Sequence, residues 1–366
     1  MRYSSELYQS AIDLLKNLIS TPSFSKEEEG TAQVINTYLE EKNISCTRID
    51  NNVFSFNKYF DPGKPTILLN SHHDTVKPSR GYTLDPFVPL VIDGKLFGLG
   101  SNDAGGPLVS LIAAFVHFYH EKNLAYNLVV AATAEEEISG PGGVEALLKH
   151  PDFLKPLQGK LPESAIVGEP TLMQMAVAER GLLVIDAVAH GKSGHAARGE
   201  GINAINIALK DIEWISNFQF PKESPLLGKV KTSVTVIETE NKAHNVVPSQ
   251  CRYVIDARVN ELYSFEEILS TLRNSVRSEI IPRSTRLRST SIPLSHPLVT
   301  SGVAIGRSYY GSPTTSDKAL MPFPALKMGP GDSARSHSAD EFIYLKEIEE
   351  GIDLYIQLLN GVMLTK

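Results

Sequence analysis

Cysteine is nearly missing from this chain of 366 residues: Cys46 and Cys251 stand far apart and alone. They match neither a Cys-rich zinc motif nor a disulfide framework, so a reducing, cytoplasmic setting is the expectation. Any metal must then be held by His, Asp and Glu. Long apolar runs are also missing, which argues against a bilayer span. The opening Met1-Arg2-Tyr3-Ser4-Ser5-Glu6 has no apolar core of a signal peptide. A surplus of positive charge is lacking as well. The formal net charge of -7 argues against non-specific nucleic-acid binding. Neither a membrane nor a nucleic acid is therefore an expected partner. No internal repeat or low-complexity linker is visible.

What is present is the balance of a globular enzyme, 42% apolar and 21% charged residues, on a chain too long for one compact core. Leu7, Ala11, Leu14, Leu15 and Leu18 have helical spacing. Ser23 or Ser25 is placed to open a second helix, with Glu27, Glu28 and Glu29 in its first turn. Strands are expected near 44–49, 53–58 and 66–71, a hairpin around Asp93-Gly94, and a long apolar helix over 106–120. Further buried strands are expected at Asn127 to Thr133 and at Ala165-Ile166-Val167. Strand and helix alternate, so the class is α/β with a mostly parallel central sheet. After about residue 174 the pattern changes to strands with period-2 alternation (182–189, 233–237, 252–259) and helices over 203–216 and 264–279. This reads as a small α+β sandwich. From about His296 the first pattern returns, with a strand from Pro324 to Met328 and a closing helix over 346–363. The expectation is an α/β domain of residues 1–173 and 293–366, interrupted by an α+β domain of residues 174–292.

Chemistry-bearing residues gather where those strands end. Ser71-His72-His73-Asp74-Thr75-Val76 follows the buried run Thr66-Ile67-Leu68-Leu69-Asn70. In open α/β sheets, ligand sites collect at the carboxyl ends of strands. A His-x-Asp pair there can bind a metal through the imidazole while the carboxylate orients it. Asp103 lies among glycines in Gly98-Leu99-Gly100-Ser101-Asn102-Asp103-Ala104-Gly105-Gly106. That stretch lacks the Lys and Ser/Thr of a phosphate loop. Glu135-Glu136-Glu137, Gly168-Glu169-Pro170 and Gly329-Pro330-Gly331-Asp332, with Ser336-His337-Ser338 after it, end other strands. Singly, each is an ordinary turn or helix start. Together they supply imidazole and carboxylate donors that suit zinc, cobalt or manganese. One carboxylate bridging two ions about 3.5 Å apart would make a hydrolytic site, with a spare Glu as base.

On these five stretches, in this order and spacing, the chain resembles the M20 metallopeptidase and deacylase family. That family includes acetylornithine deacetylases and succinyl-diaminopimelate desuccinylases. The resemblance implies a zinc-peptidase-like catalytic domain and an inserted domain that serves as lid and dimer interface. It implies two divalent ions, zinc first, with cobalt or manganese as alternatives. His72 and Glu169 would ligate one ion, Glu137 and His337 the other, and Asp103 both. Asp74 would orient His72, and Glu136 would be the general base. A cis peptide is implied between Asp103 and Ala104. In the insert, Gly191-Lys192-Ser193-Gly194-His195-Ala196 carries a histidine that would reach the partner subunit's active site. Asn245, Arg258, Gly329 and Gly331 match positions that contact substrate. The chain departs from the family after Asp103, where Ala104-Gly105-Gly106 replaces Met-Lys-Gly, and at Thr314-Thr315-Ser316-Asp317-Lys318.

The expected function is removal of the acyl group from an N-acyl amino acid by a homodimer. The ending Gly-Pro-Gly-Asp…His…Ala-Asp-Glu-Phe resembles acetylornithine deacetylases, so acetylornithine or acetylcitrulline of arginine biosynthesis is the expected substrate. An N-succinyl amino acid such as succinyl-diaminopimelate is the second reading, and a dipeptide the third. A non-catalytic relative would be expected to lack the base or a ligand, and this sequence retains both.

Overall fold

A computed structural model describes residues 4–363. The chain forms two compact units. The first comprises the chain up to Val177, Ile292–Tyr310 and the chain from Ser316 onward; the second comprises Ala178–Ser291 and Gly311–Thr315. The crossings therefore lie at 177/178 and 291/292 rather than at 173/174 and 292/293, and a short piece of the returning chain belongs to the second unit.

The first unit is built on a mixed sheet with strand order Thr47–Ile49, Asn52–Phe56, Asn127–Thr133, Thr66–His72, Ser164–Val167, Ala325–Lys327 and the start of Met175–Glu179, whose last two residues belong to the second unit. The middle four run parallel, and the flanking pairings are antiparallel. Thr66–His72 and Asn127–Thr133 are buried along their whole length, as parallel strands covered on both faces must be. On one face lies helix Gly106–Phe118, apolar almost all round, with helices Ser5–Ile19 and Leu345–Met363 against it. On the other face Val144, Leu147 and Phe153 pack with Phe54, Leu68, Val129 and Val167. Because the four central strands are parallel, their carboxyl ends share one edge. His72, Glu135-Glu136-Glu137, Glu169 and Gly329 all follow at that edge.

The second helix begins later than its serines suggest. It spans Glu29–Glu41 with Glu28 at its cap and no side-chain cap bond. Ser25 is engaged elsewhere, as described below.

In the second unit, strands Lys231–Thr239, Gln250–Val259, Gly181–His190 and Glu279–Pro282 form an antiparallel sheet in that order. Alternate residues of Gly181–His190 and Gln250–Val259 are buried, which is the mark of a sheet with one covered face. Helices Ala204–Asn217 and Phe265–Ser275 cover it through Ala208, Ile215, Ile268 and Leu272. The latter helix ends at Ser275 rather than near 279, and Glu279 opens the edge strand instead. Among the described residues no helix is long and apolar enough to cross a membrane.

Candidate metal centre

Two adjacent histidines follow the Asn70-Ser71 end of a central strand, and geometry separates their roles. His73 is satisfied on both nitrogens, Nδ1 by Thr31 Oγ1 at 2.8 Å and Nε2 by the Asn51 carbonyl at 2.9 Å. Burial lowers its pKa, against the pull of the Asn51 carbonyl, Asp74 and Glu28. His72 Nδ1 meets the main-chain carbonyl of Asp74 at 3.0 Å. Its Nε2 is buried, has no hydrogen-bond partner, and faces carboxylates: Asp103 Oδ1 at 3.4 Å, Glu136 Oε2 at 3.8 Å and Glu169 Oε1 at 3.9 Å.

Asp103 looks both ways. Its other oxygen, Oδ2, lies 3.7 Å from His337 Nε2, and His337 Nε2 is 2.9 Å from Glu137 Oε2. The Asp103-Ala104 peptide is cis. Glu135 and His337 adopt left-handed backbone (φ 55° and 56°). Such dihedrals are uncommon for residues with a Cβ and concentrate at functional sites.

The residues around this cluster aim it. The Asp74 carboxylate accepts Ser25 Oγ–H at 2.7 Å and the main-chain N–H groups of Glu136 and Glu137 at 3.0 and 3.1 Å. It thereby fixes the turn that presents both glutamates. Glu28, fully buried, does the same for Glu135 N–H at 3.1 Å and binds Asn51 Nδ2 at 2.8 Å. Asp317, also buried, accepts from Asn70 Nδ2 at 2.9 Å and Thr133 Oγ1 at 2.8 Å. These side chains belong to the two strands that end at the site.

Electrostatics reflect the crowding. Burial raises the Glu136 pKa well above the usual carboxylate value, and the charges of Glu169, Asp317 and Glu137 add to that, against the pull of His72. For His72, burial opposes charging, but Glu136, Asp103 and Asp74 outweigh it and lift the pKa well above 6.5. Its bond to Glu137 lifts His337 to about 9. Burial pushes Asp317 to about 6.

This donor set fits divalent cations. His72, Asp103 and Glu137 each offer a ligand atom within 4.8 Å of the others, as do His72, Glu136 and Glu169. A buried imidazole nitrogen with no partner, ringed by carboxylate oxygens, would be costly without a positive charge between them. The structure thus brings His72, Asp74, Asp103, Glu136, Glu137, Glu169 and His337 together. Gly329 lies beside Glu169: a Cβ there would sit 2.5 Å from the Glu169 carbonyl. Gly331, with φ of 89°, abuts Asn102.

The remaining expected residues lie in the second unit. His195 is exposed and pairs in register with Val246, and Ala196 N–H donates to the Asn245 carbonyl. Arg258 directs Nε and Nη2 at Asp256, at 2.8 and 3.0 Å. Four residues outside the expected site also hold its loops: Ser25, Glu28, Asp317 and Glu341, the last by accepting the Asp103 main-chain N–H. Ser25 read as a helix cap. The other three are carboxylates whose burial has no apolar pattern to announce it.

A model of peptidase family M20/M25/M40 matches residues 68–361. The chain is 26% identical to a succinyl-diaminopimelate desuccinylase of Cereibacter sphaeroides, over 95% of this chain and 98% of that protein. Its fold is similar to that of aminopeptidase PepT from Bacillus cereus, with a TM-score of 0.75 at 17% identity, covering 97% of this chain and 98% of that one. It is also similar to the YXEP protein of Bacillus subtilis, described as a dinuclear metal binding peptidase, with a TM-score of 0.72 at 14% identity, covering 97% and 98%.

Proposed function

This chain belongs to peptidase family M20/M25/M40 and is a metal-dependent hydrolase; we propose that it cleaves the amide bond of an N-succinyl amino acid of the succinyl-diaminopimelate class. The observation that carries the hydrolytic reading is Asp103, whose two oxygens face two different histidines, as a carboxylate shared by two ions would. The succinyl preference rests on the curated relatives, which bear the desuccinylase name. The expected acetylornithine or acetylcitrulline substrate, and with it arginine biosynthesis, is set aside on that ground.

In this reading His72, Asp103 and Glu169 would hold one ion and Asp103, Glu137 and His337 the other, zinc first, with cobalt or manganese as alternatives. When bound, such ions lower the pKa of a coordinated water and polarise the acyl carbonyl. Glu136 accepts the proton of the attacking water and passes it to the departing nitrogen, so the new C–O bond forms and the C–N bond breaks without a free ion. Its burial supports that role, because a desolvated carboxylate keeps a proton more readily. His72 is anchored through Nδ1, which leaves Nε2 to act as ligand.

The same proposal includes a homodimer formed through the second unit, with His195 of the partner subunit stabilising the oxyanion. It also includes a grip on substrate carboxylates by Arg258, Asn245 and the 329–331 turn, and a cytoplasmic setting suited to the free thiols Cys46 and Cys251. The test is a panel of N-succinyl, N-acetyl and dipeptide substrates assayed for acid and amine release by the metal-loaded enzyme. Succinate should appear fastest. Acetate release an order of magnitude faster would reverse the substrate assignment. Glu136→Gln should lose several orders of magnitude in kcat with its metal content kept, and retained turnover would remove Glu136 as base.

A further inference from the structure

Glu341 is only 2% exposed, and its side chain turns inward onto the loop that carries Asp103. Oε1 accepts the main-chain N–H groups of Asn102 and Asp103 at 2.8 and 2.9 Å, and Oε2 accepts that of Gly100 at 3.0 Å. The main-chain carbonyl of Glu341 accepts Gly98 N–H at 3.0 Å. All of these bonds end on the 98–103 loop. Three main-chain amide groups thus converge on one buried carboxyl group, which ties Gly100, Asn102 and Asp103 to a single side chain.

The loop needs such a tie. Asp103 has φ -117° and ψ 98°, outside helical geometry, so the helix that starts at Gly106 does not fix it. Its amide points back at Glu341 while its carboxylate points at His72 and His337. Holding the amide therefore sets where the carboxylate can reach. Glu341 also lies just beyond His337 in the chain, so one residue joins the two loops that face each other across the cluster.

We infer that Glu341 is a positioning residue that sets the Asp103 carboxylate between the two histidines before any ion binds. The inference rests on the reading of Asp103 as the shared metal ligand. A glutamine cannot replace Glu341. Either its amide NH2 faces Gly100 N–H, or it faces those of Asn102 and Asp103, and each arrangement sets donor against donor. Partners that orient a metal ligand are worth about 10–100-fold in metal affinity.

The test titrates metal-free wild type, Glu341→Gln and Asp211→Asn with Co2+ and Zn2+, followed by calorimetry and by the visible spectrum of bound Co2+. Asp211 is the control: a buried carboxylate of the second unit that accepts Arg277 N–H, Ser278 N–H and Ser278 Oγ–H at 3.1, 2.9 and 2.6 Å. Glu341→Gln should bind Co2+ about 10–100-fold more weakly with an altered spectrum, and its circular dichroism should match wild type. Asp211→Asn should lower Tm and leave Co2+ affinity unchanged. Wild-type affinity in Glu341→Gln, or equal weakening in Asp211→Asn, overturns the positioning role. Failure of wild type itself to bind two ions overturns the metal centre, and with it the role given to Glu341. Should Glu341→Gln not fold, Glu341→Asp, which keeps the carboxyl group and withdraws its oxygens by a methylene, carries the same comparison.

Discussion

His72 and Asp74 meet through the main chain: His72 Nδ1 is 3.0 Å from the Asp74 carbonyl and 3.4 Å from its carboxylate Oδ1. The carboxylate accepts its shortest bonds from Ser25 Oγ–H and from the amides of Glu136 and Glu137. Asp74 therefore aims the glutamate turn as much as the imidazole. Asp74→Asn places an amide NH2 against N–H donors of that turn. Metal affinity and kcat should each fall about 10–100-fold, measured by metal titration and by initial rates at saturating metal. Ser25→Ala should reproduce a smaller share. A normal rate in Asp74→Asn would show that the turn holds itself.

Ions must displace protons from this cluster. Without metal, the bond to Glu137 holds His337 at about 9, so it carries a proton at neutral pH. A metal ligand has to be deprotonated, and binding should therefore release protons near pH 7 and weaken as pH falls. Calorimetry of Zn2+ binding in buffers of different ionisation enthalpy measures the release. His337→Ala should reduce it. Proton-free binding by wild type would place His337 outside the metal's reach.

Asp317 makes a separate statement about the metal-free protein. Burial lifts it from 3.8 to about 6. The folded state thus binds its proton more tightly than the unfolded chain does. The resulting stability is complete below about pH 4 and is lost as pH rises through about 6. Asp317→Asn mimics the protonated form and keeps an acceptor for Asn70 and Thr133. It should match wild type near pH 4 and melt on the order of a few °C higher above pH 6, as read by thermal scans with chelator present. Equal melting points at both pH values would remove Asp317 as a source of that dependence.

The second unit can be weakened by itself. Ser264 caps helix Phe265–Ser275 in a reciprocal pair with Glu267, each side chain bonding the other's main-chain N–H. Ser264→Ala should cost about 1 kcal/mol, seen as a lower denaturant midpoint, with metal content per chain unchanged. Loss of metal in this variant would mean that the cap matters beyond its own helix.

The site strands were legible because burial on both faces writes continuous apolar runs such as Ile67-Leu68-Leu69 and Leu128-Val129-Val130. Side chains that would bind a metal follow those runs directly, so His72, Glu136, Glu137 and Glu169 could be found by looking just past them. Residues that act on the backbone of another loop left no such trace. Glu341 and Glu28 bond main-chain amides, and any loop can offer those, so nothing in the sequence near residue 100 or 135 calls for them. Ser25 fits the pattern of a helix cap and makes a different bond. The end of helix Phe265–Ser275 is not legible because Val276-Arg277-Ser278-Glu279 contains no Gly or Pro to mark a stop.

The order of the ligands along the chain has a consequence for synthesis. Glu137 and His337 touch across 200 positions of sequence. A ribosome translating this message exposes His72, Asp103, Glu136, Glu137 and Glu169 long before it reaches the strand Ala325–Lys327, His337 or Glu341. The emerging polypeptide carries an acidic cluster whose second imidazole is still unmade, and a product cut short before Ala325 can never acquire it.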